Sequence, residues 1–360
     1  MVKQIGLGLF LILILAGCSF LPTNIVNEIS LIQGVGYDLG DGKAIKGSIV
    51  YPIFQKDKPA KSEVKTAFGQ SSKEIRTKLS NETRYRLVSG QLRIALYGKK
   101  LAEKGINDFV DTINRDPSIG SLVQMAIVDG DSNELLKLKK YQSENISIYL
   151  QEMLDQNMEY GDLPRTDLQS FLFQLFQTGQ DPYLPLIKKV KDNIQVTGLA
   201  IFNYDQYVTA IGAEDLFIFK ALVEKNRNSL HQFVLENDDK VVLETLNSNA
   251  QYKVKMANGK PEFTINLKMK TKLQEFVPSE KKRQTFSKKK YQKQVERKIE
   301  QSALKLVNQF KKQHVDPLGL GAKYKEHIRG FSGKQWEQYY PHVKVNVNAD
   351  IEIGQTGSID

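Results

Sequence analysis

Hydrophobic and polar residues alternate regularly in the last third of the chain. Phe263, Ile265, Leu267 and Met269 occupy every second position of one stretch, and the same period runs through residues 343–353. A period of two predicts β-strands that have one apolar face and one polar face. The sequence therefore predicts a C-terminal antiparallel sheet with one buried side.

A long amphipathic helix is predicted between these strands. Ser287 is its expected N-cap, and the helix should end at Asp316-Pro317, because proline cannot continue a helix. Its apolar stripe consists of Tyr291, Val295, Ile299, Leu306 and Phe310. A helix lying across the dry face of an antiparallel sheet is an α+β arrangement.

Shorter strand and helix patterns follow one another in the first part of the chain. Residues 29–38 and 45–51 are predicted to form a pair of strands, and residues 91–98 and 122–128 two further strands, with short helices between them. Residues 56–72 are polar and rich in lysine, which predicts a loop.

The middle of the chain continues this mixture. Two amphipathic helices precede a predicted hairpin at residues 196–202 and 207–211, and a third amphipathic helix is predicted at residues 213–226. The fold class is therefore α+β, with three small mixed α/β domains in a row. The expected units are a leader at residues 1–17 and domains at residues 18–144, 145–228 and 229–360.

The first eighteen residues have the parts of a bacterial export signal. Lys3 precedes an apolar run at residues 5–16, which is shorter than the roughly 20 residues needed to span a bilayer. The run closes with Leu15, Ala16, Gly17 and Cys18, which resembles the lipobox of bacterial lipoproteins. The resemblance implies a diacylglycerol on Cys18, with or without an added N-acyl chain. The alternative is an ordinary cleavage site followed by a stray thiol.

Composition supports a folded body held at a membrane surface. The chain is 41% hydrophobic and 26% charged, and Cys18 is its only cysteine, so an internal disulfide is impossible. The net charge of +10 suits either an anionic membrane or a nucleic acid. An exported lipoprotein meets no cytosolic nucleic acid, which favours the membrane.

We find no motif that predicts an enzyme, a metal site or a cofactor site. The four histidines are separate from one another, and no nucleophile stands in a recognisable catalytic pattern. A basic stretch at residues 281–298 remains open to four readings: a solvated loop and helix start, a surface that faces lipid, a surface that faces an acidic partner, or a surface that faces nucleic acid.

Several short motifs, in their order along the chain, resemble the Ger(x)C family, the lipoprotein C subunits of GerA-type spore germinant receptors. The resemblance covers nearly the whole chain after the leader. It rests on the lipobox, Glu28-Ile29, Gly34-Val35-Gly36-Tyr37-Asp38, the strand at residues 92–98, Leu101 to Ile106, Arg115-Asp116, Gly198 to Phe202, Asp316 to Gly321, Trp336 and the final strand up to Gly354. One departure is Ser19 to Thr23, where the family has aromatic and basic residues.

The resemblance implies a non-enzymatic subunit that scaffolds the receptor or transmits its signal. Its expected partners are A-type and B-type integral-membrane subunits and membrane lipid, and the nutrient is expected to bind another subunit. The implied location is the spore inner membrane, lipid-anchored, with the body on the outer side. The alternatives are a solute-binding lipoprotein of a transporter, which needs two lobes of βαβ units, and a lipid-anchored hydrolase, which needs a nucleophile and a base.

A corner after the long helix is the other candidate site. Asp316 can accept amide hydrogens beyond the helix end, Gly319 and Gly321 permit positive φ, and Trp336 can fill the seam between helix and sheet. We interpret these four residues mainly as architecture. A partner-facing role for the corner is the alternative hypothesis.

Overall fold

The computed structural model describes residues 29–42, 44–55, 58–141, 145–236, 238–257, 259–279 and 287–354. Its strands are β1 (Ile29–Leu31), β2 (Gly34–Leu39), β3 (Ile45–Gln55), β4 (Lys58–Gly69), β5 (Arg86–Val88), β6 (Ile94–Gly98), β7 (Gln124–Val128), β8 (Tyr183–Val190), β9 (Asn193–Asn203), β10 (Gln206–Gly212), β11 (Leu230–Val234), β12 (Lys240–Ala257), β13 (Lys260–Val277) and β14 (Lys344–Gly354). Its α-helices are α1 (Ser72–Asn81), α2 (Lys99–Ala102), α3 (Asn107–Asn114), α4 (Ser132–Leu136), α5 (Ile146–Glu159), α6 (Leu168–Phe176), α7 (Ala213–Val223), α8 (Lys288–Lys312), α9 (Leu320–His327) and α10 (Gly333–Tyr339). Two short 3₁₀ turns lie at Lys139–Tyr141 and Tyr340–His342.

Eight strands form one sheet in the order β10-β9-β8-β7-β6-β2-β3-β4. The four central strands, β2, β6, β7 and β8, are parallel, and an antiparallel pair of strands extends the sheet on each side. All five residues of β6 and all five of β7 are buried. This is the pattern of parallel strands that are covered on both faces.

Helices cover both faces of this sheet. One core contains apolar residues of α1, α2, α3 and α6, and the other contains apolar residues of α4, α5 and α7. The sheet crosses residue 144 without interruption, because β8, β9 and β10 join strands from the first part of the chain. The regions expected as separate units at 18–144 and 145–228 therefore share one sheet, while the exact boundaries stay a prediction.

The C-terminal sheet has the order β11-β12-β13-β14, and α8 packs across it. All five residues of the predicted stripe, from Tyr291 to Phe310, are buried, and Ser287 is the N-cap. The mixed α/β architecture and the C-terminal sheet with a helix across it are thus confirmed. One detail differs, because β14 pairs with β13 in parallel. A final strand that returns after a long helix can enter the sheet in either direction.

Helix α8 also protects the edge of this sheet. The side chain of Glu300 accepts a hydrogen bond from Ala349 N at 2.9 Å, and that of Glu296 accepts one from Ile351 N at 3.1 Å. Both amides belong to the edge strand β14, which would otherwise present unpaired donors. The core beneath α8 is continuous with the core around α7, so α7 joins the two sheets.

Two predictions about local structure are wrong. Residues 58–69 form β4 rather than a loop, because a lysine-rich edge strand has the polarity of a loop. Helix α7 is not amphipathic, because residues 215–222 are buried on all sides between β9, β12 and α8.

Candidate functional site

The lipobox residues Leu15, Ala16, Gly17 and Cys18 lie outside the described residues. Within the described part, no helix combines the length and the apolar character needed to cross a membrane. The lipid anchor therefore stays a prediction that rests on the sequence pattern.

The corner after α8 lies within the described residues, and the structure brings its four predicted residues together. Helix α8 ends at Lys312, and His314 then takes a left-handed conformation with φ of 54°. Pro317 follows, and Gly319 is the N-cap of α9 with φ of 66°. The chain reverses over these few residues, and a glycine at the left-handed position allows the reversal without strain.

The buried carboxyl group of Asp316 stabilises this turn by accepting hydrogen bonds from backbone amides. It accepts hydrogen bonds from Leu320 N at 3.0 Å and Gly321 N at 2.8 Å, which are two of the amides that the first turn of α9 leaves unpaired. Asp316 is only 4% exposed. Burial raises the pKa of the Asp316 carboxyl to about 7, although these N–H donors oppose the rise.

A second acid, Asp181, ties the corner to the eight-stranded sheet. Its carboxylate accepts a hydrogen bond from Asp316 N at 2.6 Å, and its own N–H donates to Asp316 O at 3.0 Å. Asp181 lies two residues before β8, so the exchange joins the C-terminal part to the central sheet. Burial also raises the pKa of Asp181 above its usual range.

Gly179 and Gly321 must be glycines because their backbones approach each other too closely for a Cβ atom. A Cβ on Gly321 would lie 2.4 Å from Trp336 Nε1 and 2.7 Å from Gly179 Cα. A Cβ on Gly179 would in turn lie 2.6 Å from the Gly321 carbonyl carbon. The Gly179 carbonyl accepts a hydrogen bond from Ala322 N at 2.9 Å, so the two backbones are in direct contact.

Trp336 fills the space below the turn. The indole is 5% exposed, and its ring centroid lies 5.4 Å from that of Tyr340, 5.8 Å from Tyr324 and 6.0 Å from Phe263. The Tyr340 hydroxyl donates to Val315 O at 2.6 Å, which fixes the cluster to the backbone of the turn. The aromatic cluster thus packs α9 and α10 against the C-terminal sheet.

A polar cavity of about 470 Å³ opens beside this corner. Its lining includes Gln180, Asn203, His314 and Glu337, together with the buried acids described above. The described residues contain no group of three or more His, Cys, Asp or Glu side chains able to hold a metal ion. The acids here hold backbone amides, which suits a structural joint between the two parts of the chain.

A similar buried acid explains the early motif at residues 34–38. Asp38, at the end of β2, accepts hydrogen bonds from Ser132 N at 2.7 Å and Asn133 N at 3.0 Å, and so holds the start of α4. A Cβ on Gly36 would lie 2.6 Å from Ser132 Oγ, and one on Gly34 would lie 2.4 Å from Ser147 Oγ. The two glycines therefore let helices approach the strand closely.

Part of the basic stretch can be located. Lys288, Lys289, Lys290 and Lys293 are exposed on the first turns of α8, whereas residues 281–283 lie outside the described residues. The Lys290 ammonium lies 5.3 Å from the centroid of the Tyr291 ring. This exposure is compatible with solvent, lipid or an acidic partner.

Comparison with known proteins gives a consistent result. A family model described as a spore germination protein N-terminal domain matches residues 22–189, and one described as Spore germination B3/GerAC like, C-terminal, matches residues 197–357. The chain is 31% identical over 353 residues to spore germination protein GerQC of Bacillus cereus, spanning 97% of this chain and 98% of that protein. It is 22% identical over 348 residues to the putative spore germination protein YfkR of Bacillus subtilis (strain 168), spanning 92% and 85%.

A solved structure supports the fold. The crystal structure of the GerBC protein resembles this chain with a TM-score of 0.58 at 15% sequence identity, over 89% of this chain and 96% of that one. The order of motifs, the two family-model matches and the full-length similarity to GerQC agree. The chain belongs to the Ger(x)C family of spore germination proteins.

Proposed function

We propose that this chain is the membrane-anchored C subunit of a spore nutrient germinant receptor. Its role is to scaffold the receptor or to couple its signal, without catalysis. The observation that carries this proposal is the pair of family-model matches, which cover residues 22–189 and 197–357 in the expected order. The near-complete coverage of GerQC, a spore germination protein, supports a role in spore germination.

The anchor in this proposal is a diacylglycerol thioether on Cys18, with or without an N-acyl chain. Two acyl chains give stable membrane residence, whereas one chain is marginal. The lipobox sequence and the single cysteine support this modification. The body would then stand on the outer side of the spore inner membrane, next to A-type and B-type integral-membrane subunits, one of which binds the nutrient.

The joint around Asp316 suits a subunit that transmits or resists force rather than one that transforms a substrate. It links two sheets through backbone hydrogen bonds and an aromatic cluster, and its polar groups are occupied with that task. A solute-binding lipoprotein would need a second βαβ lobe. Residues 230–354 instead form a four-stranded sheet crossed by α8, so no observation favours that alternative.

The decisive experiment is deletion of the coding region in a strain that lacks its other germinant receptors. We expect the spores to lose the response to the nutrient and to keep germination by a non-nutrient stimulus. Complementation with the intact gene should restore the response, and Cys18→Ala should restore little of it and leave the protein outside the membrane fraction. Unchanged nutrient germination after deletion contradicts the receptor role, and membrane-bound Cys18→Ala protein contradicts the anchor.

A further inference from the structure

Helix α6 exposes aromatic side chains that the fold does not use. Phe173 is 64% exposed and Phe176 is 69% exposed, and they lie three positions apart on the same helix. Leu122, at 68%, lies beside the first turn, because Ser121 O and Val123 O accept hydrogen bonds from its amides. Among the described residues these are the three most exposed large hydrophobic side chains. Single exposed apolar residues are ordinary, but such a cluster marks an interaction site.

The face of α6 that points to the core is fully packed. Leu168, Phe171 and Leu175 are buried against the central sheet, and the Phe171 ring meets Phe202 edge to face at 5.5 Å. The exposed phenylalanines therefore add nothing to this packing. A surface helix of a monomer would carry polar residues at those positions.

The sequence around these aromatics carries no charge. Residues 168–180 contain no Asp, Glu, Lys or Arg, although 26% of the chain is charged. A helix that lies on an anionic bilayer surface has lysine and arginine beside its apolar residues. The centre of a protein interface, by contrast, is poor in charge and rich in aromatic residues.

A second copy of this chain is a poor occupant for the same surface. Each copy carries a net charge of +10, and two such molecules repel each other on approach. Residues 168–180 have no acidic groups that would offset this repulsion. The chemistry fits a different protein that offers an apolar, uncharged contact.

A groove next to Phe173 could receive a side chain of the partner. It has a volume of about 530 Å³ and runs between α6, the end of α7 and α9. Phe173 and Gln177 form one wall, and Val223 and Ala322 lie on the other sides. Charged side chains of both signs also line the groove: Arg165, Lys323, Glu224 and Glu326. The groove reaches Gly319 at the corner, so an inserted side chain would contact both the exposed aromatics and the joint between the two sheets.

We propose that α6, with Phe173, Phe176 and the adjacent groove, is the docking surface for an integral-membrane subunit of the receptor, through an apolar segment of that subunit that packs on the uncharged face of α6. This inference rests on the proposed function and adds the surface by which the subunit is held.

Photo-crosslinking in intact spores tests the contact directly. A benzophenone amino acid replaces Phe173 in the full-length protein, and a matched protein carries it at Phe68, which is 53% exposed on the edge strand β4. We expect position 173, and not position 68, to form an adduct with a receptor membrane subunit. Adducts only with phospholipid, or only with a second copy of this chain, would overturn the inference, as would equal adducts from both positions.

Germination kinetics provide the second test. Phe173→Ser with Phe176→Ser should slow nutrient germination at least tenfold, whereas Phe68→Ser should leave it unchanged. Immunoblots and tryptophan fluorescence verify that each variant is present and folded. A wild-type rate for the double variant overturns the docking surface alone if deletion of the gene still abolishes the response. Normal germination after deletion would instead overturn the proposed function.

Discussion

The buried carboxyl of Asp316 makes the stability of the corner depend on pH. Its pKa is 3.8 in ordinary surroundings and about 7 in the fold. Between these values the folded chain binds more protons than the unfolded chain, so the free energy of unfolding must fall as the pH rises. Below pH 3.8 the contribution is fully present, and it is lost as the pH passes through 7.

The magnitude follows from the same difference. One pKa unit corresponds to about 1.36 kcal/mol, so a rise from 3.8 to about 7 is equivalent to about 4 kcal/mol at most. Asp316 is 4% exposed, so solvent screens little of this energy. Burial also raises the pKa of Asp38, Asp181 and Glu224, so the effect must be measured as a difference between two proteins.

The assay is urea unfolding of the purified protein between pH 4 and pH 8, followed by fluorescence. Trp336 is the only tryptophan of the chain and lies in the corner, so its emission reports this region. Asp316→Asn cannot ionise, so position 316 then contributes no pH dependence to the free energy of unfolding. We expect the wild-type protein to lose up to about 4 kcal/mol relative to Asp316→Asn as the pH rises from 4 to 8.

The control is Asp350→Asn, which changes an exposed acid on β14 and should follow the wild-type curve. A difference between wild type and Asp316→Asn that stays constant over this pH range would refute the reasoning, because it would show that the Asp316 carboxyl has the same proton occupancy in both states.

Three further substitutions test the packing, each by urea denaturation. Gly321→Ala should destabilise the chain by about 1–3 kcal/mol, because its Cβ collides with the indole of Trp336. The control is Gly120→Ala, whose Cβ meets nothing within 4 Å and should be nearly neutral. Equal effects of the two substitutions would contradict the close approach at Gly321. Leu306→Ala opens a cavity beneath α8 and should cost about 2–5 kcal/mol, against about 0.5 kcal/mol or less for the exposed Leu230→Ala. Asp38→Ala leaves two buried amides at the start of α4 without an acceptor and should cost about 1–3 kcal/mol, and an unchanged midpoint would show that they find another partner.

Patterns with a strict period could be predicted from the sequence. The alternation at residues 343–353 corresponds to β14, and the predicted apolar stripe corresponds to the buried face of α8. Both were predictable because an element with one buried face carries apolar residues at the period of its own geometry. The hairpin of β9 and β10 was predictable from two apolar runs on either side of Tyr204-Asp205. A helix or strand with one buried and one exposed face can therefore be recognised from its sequence.

Other elements have no such signature. Strand β4 has the lysine content of a loop because it lies at a sheet edge, and β8 contains Pro185, which conceals a strand. The parallel pairing of β14 with β13 depends on how the chain returns after α8, which no local pattern records.

The candidate site also has features that the sequence signals and features that only the tertiary structure supplies. Asp316, Gly319, Gly321 and Trp336 are signalled by a helix end, by glycines and by the single tryptophan. Their contact with the segment before β8 is not signalled, because Gly179 and Asp181 are more than 130 positions away along the chain. The raised pKa of Asp316 comes from burial, which only the tertiary structure supplies.

The two cores of the molecule have a mechanical consequence. The core on the α7 side of the large sheet extends without a break to the strands under α8, whereas the core around α1 and α3 is closed off from them. A displacement of the C-terminal strands would thus reach α5 and α7 through touching side chains. The opposite side would sense it through the backbone of the sheet and through the contact of Gly179, just after α6, with Gly321 and Ala322.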